Sequence, residues 1–433
     1  MAEPQRDYFL LSNESQVYVL ENDVFINGKS WKQEDPSNET AAPEKLLEIA
    51  QDKMRSFYSE LLKNAAYKNL IILSGAGISK EGSKKRHAKA GGEDRDGLWR
   101  AAEKKVTEPV FNALKEALGF NTENDLEELL SKAYMLLKFN EDYFVAYDAG
   151  ISGEGEAKKE EKKPLKDIIE IIEKSIVDEC WLEVDGNLHS QFLDKVVNRS
   201  LKLPRVKFFT TNYDTLIEQA AQQVGVTLID GFSFTMPRQF SGTNFDYDIV
   251  YREKSRIKNE ESFVPKVLHL YKMHGSLDWF EGMDGDIIVA DSTNKGEESK
   301  RRIIYPASNK YESSYEQPYF EMMSRFQSYL RQENTLLIVV GFSLYDKHIS
   351  NVIFEAVSQN PNFTLLICNY YKCLDCGRVG IPIEGDSNLK RFIGKENVYI
   401  INEKFSDFVN NYPSNKVYSS QKTENHVNQP VQP

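Results

Sequence analysis

The chain has 433 residues and a formal net charge of −12, with 40% hydrophobic and 12% aromatic residues. That length accommodates one large domain or two to three ordinary ones, and the composition is sufficient for a packed core. The acidic balance argues against general nucleic-acid binding, because affinity for phosphates needs a basic face. The sequence has no apolar run long enough to span a membrane, no signal-peptide core at its start, and four cysteines, too few for a disulfide framework. We therefore expect a globular protein of the reducing cytoplasm.

Taken in chain order, the first elements precede the core of the fold. Alternating apolar and polar residues over 7–27 predict a short strand pair outside the central fold, and the polar residues 32–42 predict a linker. From Pro43 to about Tyr67, apolar residues recur at helical spacing, and a proline suits the first helical turn. The apolar run 69–74 then predicts the first buried parallel strand.

The rest of the chain predicts a helical block set into an alternating pattern. Residues 98–200 read almost entirely as helix, with a charge-rich break at 150–163. Beyond them the predicted strands are 205–210, 226–230, 267–273, 335–340 and 398–401, the predicted helices are 213–223 and 319–331, and 278–305 reads as a hairpin excursion. Such alternation predicts an α/β fold with a doubly wound, Rossmann-like parallel sheet and an inserted helical lobe.

These elements define the expected domain organisation. An N-terminal extension and linker (1–42) precede a central domain over 43–370, into which the lobe 98–200 is inserted. A C-terminal α/β extension over 371–412 follows, and the polar residues 413–433 predict a disordered tail.

A glycine-rich turn follows the first predicted core strand, since residues 75–79 read Gly-Ala-Gly-Ile-Ser. Such a turn lets backbone N–H groups approach a pyrophosphate without an intervening Cβ, so it predicts a dinucleotide site. The alternative is a strand-to-helix turn that needs glycine only for packing. The candidate binding residues here are Gly75, Ala76, Gly77 and Ser79.

Three polar residues follow the predicted strand 205–210, namely Thr211, Asn212 and Asp214. Side chains at the carboxyl end of a parallel strand face the ligand crevice. Asn212 could there bind a ribose or position a water, while Asp214 could hold a carboxamide or orient Asn212. In the alternative interpretation, Thr211 or Asn212 only caps the helix that follows.

A histidine follows another predicted strand, because His274 comes directly after residues 267–273 and before Gly275. Glycine permits a sharp turn that would direct the ring into the crevice. Imidazole ordinarily titrates near neutral pH, which suits a general base. The alternative is a histidine that satisfies only core or surface contacts.

Together these stretches resemble the sirtuin family, in which a Gly-Ala-Gly-x-Ser loop holds NAD, an Asn and an Asp line the nicotinamide pocket, and a His before Gly acts as general base. Gly341 and Ser343 are similar to the family's Gly-x-Ser ribose contact and join the candidate NAD-binding residues. Within this family, the sequence over about residues 67–370 looks closer to one branch, the bacterial sirtuin-like proteins of anti-phage defence. The phrases that carry this resemblance are residues 209–218, 271–276, 308–311, 317–319 and 341–349.

The resemblance implies an NAD-consuming enzyme with Asn212 and His274 as catalytic residues. Family deacetylases carry two Cys-x-x-Cys pairs downstream of the histidine, whereas this sequence has no cysteine between His274 and Gly341. Hydrolysis of NAD is therefore the favoured activity, and deacylation is the less favoured one. The non-enzymatic alternative is a catalytically silent nucleotide-binding scaffold. Cys373 and Cys376 read as a loop knuckle or as a zinc half-site completed across an interface, so no metal ligand is predicted.

The resemblance also implies a role and a partner: NAD depletion in abortive infection, and a HerA-type ring ATPase, with which stand-alone members of this branch are paired. A homo-oligomer is expected because the short N-terminal strands and the segment beyond Asn369 leave backbone edges that could dock on a neighbouring subunit or a partner. Neither a membrane nor direct nucleic-acid contact is expected. The basic run that starts at Lys84 reads as a solvated loop or as a lid over bound dinucleotide. Asp346 and His348 match a stretch of the family sequence. We expect these two residues to cap a helix and to pack, and we do not assign them a catalytic role.

Overall fold

The computed structural model describes residues 6–21, 23–34, 43–64, 67–85, 91–121, 125–148, 160–251, 263–282, 285–289, 301–303, 317–372, 379–382 and 386–414. The predicted tail beyond residue 414, most of the predicted linker and the pair Cys373 and Cys376 lie outside these ranges. So do residues 86–90 of the basic run and the phrase at 308–311.

The strands are, in chain order, β1 (Asp7–Ser12), β2 (Gln16–Leu20), β3 (Asp23–Ile26), β4 (Lys29–Ser30), β5 (Asn69–Ser74), β6 (Ser83–Lys85), β7 (Phe144–Asp148), β8 (Glu160–Pro164), β9 (Leu182–Val184), β10 (Lys207–Thr210), β11 (Thr227–Ile229), β12 (Arg238–Gln239), β13 (Val267–Lys272), β14 (Gly275–Glu281), β15 (Ile287–Val289), β16 (Arg301–Ile303), β17 (Thr335–Val340), β18 (Phe363–Asn369) and β19 (Val398–Asn402).

The helices are α1 (Trp31–Glu34), α2 (Pro43–Asn64), α3 (Arg95–Val106), α4 (Glu108–Ala117), α5 (Leu126–Phe139), α6 (Leu165–Cys180), α7 (Leu188–Val197), α8 (Leu216–Val224), α9 (Tyr319–Leu330), α10 (Lys347–Gln359), α11 (Ser387–Lys390) and α12 (Phe405–Asn411). Short 3₁₀ turns cover Ala76–Lys80 and Gly242–Asp246.

Within the described residues the main sheet has the order β11-β13-β10-β5-β17-β18-β19-β1-β2-β3-β4. The segment from β11 to β19 is parallel throughout. Every residue of β5 is buried, and its alternate side chains join two hydrophobic clusters on opposite faces: Leu70 and Ile72 in one, Ile71 and Leu73 in the other. A strand covered on both faces reads as a continuous apolar run, so the predicted α/β, doubly wound fold is confirmed.

The N-terminal strands extend this sheet, which corrects the expectation that they lie outside the central fold. β1 pairs antiparallel with β19, and β2, β3 and β4 follow as antiparallel neighbours. β19 itself pairs parallel with β18, so the segment beyond Asn369 also contributes a strand to the same sheet. Because β1 finds its partner within the chain, its backbone edge no longer argues for docking on another subunit.

The inserted lobe is mainly helical but contains strands that its composition did not predict. α3, α4, α5 and α6 contribute to a separate hydrophobic cluster, in which the rings of Trp99 and Phe111 pack edge to face. β7 pairs with β8, which covers the end of the predicted charge-rich break, and β6 pairs with β9. The lobe cluster also includes Tyr213 and Leu277, so the lobe packs directly against the segments that follow β10 and β13.

Within the described residues, the predicted hairpin excursion contributes to a small antiparallel sheet in the order β12-β15-β14-β16, whose edge strand β12 comes from an earlier part of the chain. β14 starts at Gly275, immediately after the turn that contains His274. The side chains of Trp279 and Ile287 in this sheet join the hydrophobic cluster on one face of the main sheet. This packing holds in place the segment that follows His274 in the chain. A search of the described helices finds none with the length and apolar character needed to cross a bilayer.

Candidate functional site

The sheet register brings the predicted motifs to a single edge. Ser74 at the end of β5 is level with Thr210 of β10 and with Val340 of β17, and Thr210 is level with Lys272 of β13. The motif segments 75–79, 211–214, 273–275 and 341–343 therefore all leave the sheet at the same height. Chain order reverses between β5 and β17, and a reversal of this kind opens a ligand crevice beyond the carboxyl ends of the strands.

The glycine turn packs tightly against the loop that follows β17. Gly75 N donates to Val340 O at 3.2 Å, and Gly77 N donates to Gly341 O at 2.9 Å. A Cβ on Gly77 would lie 2.5 Å from Gly341 Cα, and Gly341 has a φ of +63°. Packing thus explains these glycines, as the alternative interpretation held, and neither amide is left to face a pyrophosphate. Ala76 is exposed, and these two bonds do not use its amide.

Asn212 is held by two hydrogen bonds from its amide nitrogen. Nδ2 donates to Gly75 O at 3.0 Å and to Ser79 Oγ at 2.9 Å. Ser79 Oγ in turn donates to Asp214 Oδ2 at 2.7 Å. Both amide hydrogens of Asn212 are committed by these bonds, so Oδ1 is the atom that can accept a hydrogen bond from a water or a hydroxyl.

Asp214 closes this network and also accepts a hydrogen bond from the first residue of the next helix. Its Oδ1 accepts from Leu216 N at 3.1 Å, at the start of α8. Neither Thr211 nor Asn212 caps α8, because the N-cap position is Thr215 and the bond to the first helical N–H comes from Asp214. Thr211 donates its backbone N–H to Ser74 O at 3.1 Å, which ties the strand ends together. Asp214 and Ser79 are both buried, and their bonds fix the position of Asn212.

His274 lies in the turn between β13 and β14 and contacts a carboxylate. Gly275 has a φ of +85°, as expected for a sharp turn behind the histidine. His274 Nε2 lies 3.2 Å from Asp346 Oδ2, and both side chains are largely buried, at 14% and 8% exposure. A neutral ring that gives its Nε2 hydrogen to this carboxylate carries its lone pair on Nδ1, the nitrogen that can take a proton.

Asp346 has two roles, of which the sequence indicated one. Its Oδ1 accepts from His348 N at 3.0 Å and from Ile349 N at 3.3 Å, so it caps α10 as expected. The contact of its other oxygen with His274 was not predicted, because the two residues are far apart in sequence. Gly341 and Ser343 precede Asp346 in this loop, and Ser343 is exposed at the same edge.

A buried lysine supports both sides of the site, and the sequence analysis missed it. Lys272, the last residue of β13, is 2% exposed. Its Nζ donates to Asp214 O at 2.5 Å, to Ser276 Oγ at 2.6 Å and to Glu218 Oε1 at 3.0 Å. Burial raises the pKa of Glu218 to about 7, against the opposing effect of Lys272. The lysine thus joins the segment that carries Asn212 to the turn that carries His274. The sequence signal that could have indicated this role was a single lysine in an otherwise apolar strand.

The buried imidazole of His189 forms a hydrogen bond to the backbone of the glycine turn. His189 of α7 is fully buried, and its Nε2 lies 2.9 Å from Ile78 O. Burial lowers the pKa of His189, so the ring is neutral and donates to that carbonyl. Within the described ranges, no group of three or more His, Cys, Asp or Glu side chains is arranged to hold a metal ion.

Comparison with known proteins finds one domain similarity. Residues 206–369 match the model of the SIR2-like domain, a segment that contains Asn212, Asp214, His274, Gly341 and Ser343 but not the glycine turn. A solved chain from work on the mechanism and regulation of Sir2 enzymes aligns over 83% of this chain and 95% of its own, at 13% identity and a TM-score of 0.39. No curated protein matches the chain. The fold therefore rests on the sheet order and register described above.

Proposed function

We propose that this chain is an NAD⁺ glycohydrolase, which cleaves the bond between nicotinamide and ribose to give nicotinamide and ADP-ribose. The similarity of residues 206–369 to a SIR2-like domain supports the substrate class. One observation carries the proposal: Asn212, with both amide hydrogens committed, and His274, with Nε2 on Asp346, follow adjacent strands at one level of the sheet edge. An oriented acceptor oxygen and a basic nitrogen are the groups that activation of a water requires.

The chemistry needs little more from the protein. The nicotinamide nitrogen of NAD is cationic, so it departs as a neutral molecule and takes both electrons of the C1′–N bond. Asn212 Oδ1 accepts a hydrogen bond from the attacking water and orients it, and the water oxygen forms the new bond to C1′. His274 takes the proton that this water loses, and the Asp346 carboxylate stabilises the imidazolium.

Two other activities would fit parts of the same site, and one assay separates all three. Purified chain is incubated with NAD⁺, with and without an acetylated peptide, and nicotinamide and ADP-ribose are quantified by chromatography. Release without peptide supports hydrolysis. Release only with peptide would instead support deacylation, and binding without release under either condition would support a scaffold. We favour hydrolysis because the sequence has no cysteine between His274 and Gly341 to build the zinc ribbon of family deacetylases.

The proposed biological role rests on the resemblance to anti-phage sirtuin-like proteins. NAD depletion would starve an infected cell, and such an activity needs restraint in an uninfected one. We propose that a homo-oligomer, together with a HerA-type ring ATPase, provides that restraint. Light scattering of the purified chain and co-purification with an ATPase test these two parts separately from the chemistry.

The first prediction concerns the exposed residue of the glycine turn. Ala76→Phe should raise the NAD concentration needed for half-maximal cleavage at least about tenfold, because a large side chain would obstruct the crevice mouth without entering the core. The measurement is the dependence of nicotinamide release on NAD concentration. Ala117→Phe, at another exposed alanine at the end of α4, is the control and should leave that dependence unchanged. An unaltered dependence in Ala76→Phe would locate the dinucleotide elsewhere.

The second prediction separates the two roles of Asp346. Asp346→Asn should lower kcat for NAD cleavage about tenfold or more and leave KM nearly unchanged, because asparagine still caps α10 but cannot stabilise a charged His274. Asp386→Asn is the matched control, since Asp386 caps α11 through the same two-amide pattern. Thermal unfolding of both variants checks that the caps are intact. Equal kcat values in the two variants would remove Asp346 from the mechanism.

A further inference from the structure

A cleft opens at the edge of the sheet opposite the crevice. It has a volume of about 630 Å³ and lies where β5 and β10 begin, between these strands and the segment that joins α9 to β17. A six-residue strand is about 20 Å long, so the cleft and the glycine turn are separated by the depth of the sheet. The volume is in the range of small-molecule sites, about 300–1,000 Å³.

Basic side chains dominate the lining of this cleft. Lys68, Arg205, Lys207 and Arg331 contribute to it, against the single carboxylate of Glu333. Two of the four cations are neutralised within the chain, because Arg205 pairs with Asp248 at 2.9 Å and Arg331 pairs with Glu355 at 2.8 Å.

Lys68 and Lys207 have no such partner among the described residues, and of the two Lys68 is exposed whereas Lys207 is partly buried. Lys207 Nζ donates to His269 Nδ1 at 3.1 Å and lies 5.3 Å from the centre of the Tyr329 ring, and no carboxylate of the described residues is within ion-pair distance. Burial lowers the pKa of Lys207 to about 8 and that of His269 to about 3, so the imidazole is neutral and adds no second positive charge beside the ammonium group. Asp248 and Asp246 act on this ammonium group only beyond ion-pair distance, so the cleft holds a lysine without a directly paired carboxylate, a costly arrangement that a bound anion would relieve.

We infer that this cleft binds a small multivalent anion, phosphate-bearing or polycarboxylate, with the ammonium group of Lys207 as its main contact. Lys68 lines the same cleft and adds to its positive potential, which attracts such a ligand, and the paired guanidinium groups of Arg205 and Arg331 contribute N–H donors to the lining. The ring of Tyr329 and the side chain of Pro204 provide apolar walls beside the charge. The site is independent of the proposed glycohydrolase activity, because it uses neither the crevice nor its residues.

Isothermal titration calorimetry tests this inference on the full chain, with pyrophosphate in one arm and citrate in the other. Lys207→Met should weaken binding about ten- to a hundredfold, as expected for loss of a hydrogen bond between charged groups. Lys105→Met changes the net charge equally at an exposed site on the lobe, where Lys105 pairs with Asp178, and should leave affinity within about twofold. Lys68→Met, at the exposed rim of the cleft, should cause an intermediate loss, and it replaces Lys207→Met if that variant does not fold.

The outcomes separate the possible ligands and decide the inference. Binding of pyrophosphate alone identifies a phosphate-bearing ligand, binding of citrate alone identifies a polycarboxylate, and Asn212→Ala should retain either. No binding in both arms would overturn the inference, as would equal losses in Lys207→Met and Lys105→Met. Because calorimetry needs no turnover, these results stand whether or not the chain cleaves NAD.

Discussion

His274→Ala and Asn212→Ala are each expected to lower the rate of NAD cleavage by about a hundred- to ten-thousandfold, the usual effect of losing a general base or a group that positions the nucleophile. Neither side chain is part of the hydrophobic clusters, so both variants should still fold. His274→Ala removes the acceptor of the water's proton. Asn212→Ala removes the oxygen that orients the water, and it also releases Gly75 O and Ser79 Oγ from their donor.

The measurement is the initial rate of nicotinamide release at saturating NAD. Asn351→Ala is the matched control for the amide, because Asn351 is exposed on α10 and bonds only to Arg391 among the contacts described for it. It should cleave NAD at the wild-type rate. A His274→Ala variant that retained near wild-type activity would show that this histidine is not the base. Loss of activity together with loss of folding would point to a structural role instead.

Lys272→Met should destabilise the folded state by about 3 kcal/mol, the lower end of the range for breaking a buried ion pair. The expected loss is at the lower end because 27% of the Glu218 side chain is exposed to solvent, so water partly screens its charge. The variant leaves Glu218, Ser276 and the carbonyl of Asp214 without their shared donor. Urea unfolding at pH 8 measures the loss. Lys266→Met is the control, since Lys266 is 43% exposed and pairs with Asp194, and should cost about 1 kcal/mol or less.

The pH dependence of this loss has a definite sign. The pKa of Glu218 is raised to about 7 in the folded state, above its usual range, so the folded state binds its proton more tightly than the unfolded state does. The contribution of Glu218 is therefore most favourable at low pH and declines as pH rises through about 7. At pH 5 the carboxyl is protonated with or without Lys272, so the deficit of Lys272→Met should be smaller at pH 5 than at pH 8. A deficit independent of pH would mean that Glu218 is not the group left uncompensated.

The strand ends and their motifs were predictable because they depend on local pattern and on a general rule of parallel sheets. The runs at β5 and β17 are continuously apolar, which requires burial on both faces and fixes where each strand stops. Once the strands are parallel and adjacent, residues that follow them must emerge together. That is why Asn212, His274 and Gly341 could be assigned to one crevice before any coordinates.

The contacts that support the site could not be predicted, because each depends on a distance between remote segments. Nothing in the Gly-Ala-Gly sequence distinguishes an amide that faces a ligand from one that bonds to Gly341 O. The Asp346 cap is visible in sequence, but its second oxygen reaches His274 only through the sheet register. The pairing of β1 with β19 was missed for the same reason, since a short alternating segment does not reveal which sheet edge it joins.

The pairing of β1 with β19 sets an order of events during synthesis of the chain. β1 leaves the ribosome early, but its partner β19 is translated almost at the end of the described sequence. At elongation rates of about 5–20 residues per second, tens of seconds pass before the two can meet. All the strands whose ends carry Asn212, His274 and Gly341 are complete by then, because β17 and β18 precede β19. The nascent crevice can therefore form while β1 still lacks its strand partner. In the meantime α2, which is translated soon after β4 and packs on β1, β2 and β3, can cover the apolar residues on one face of these strands.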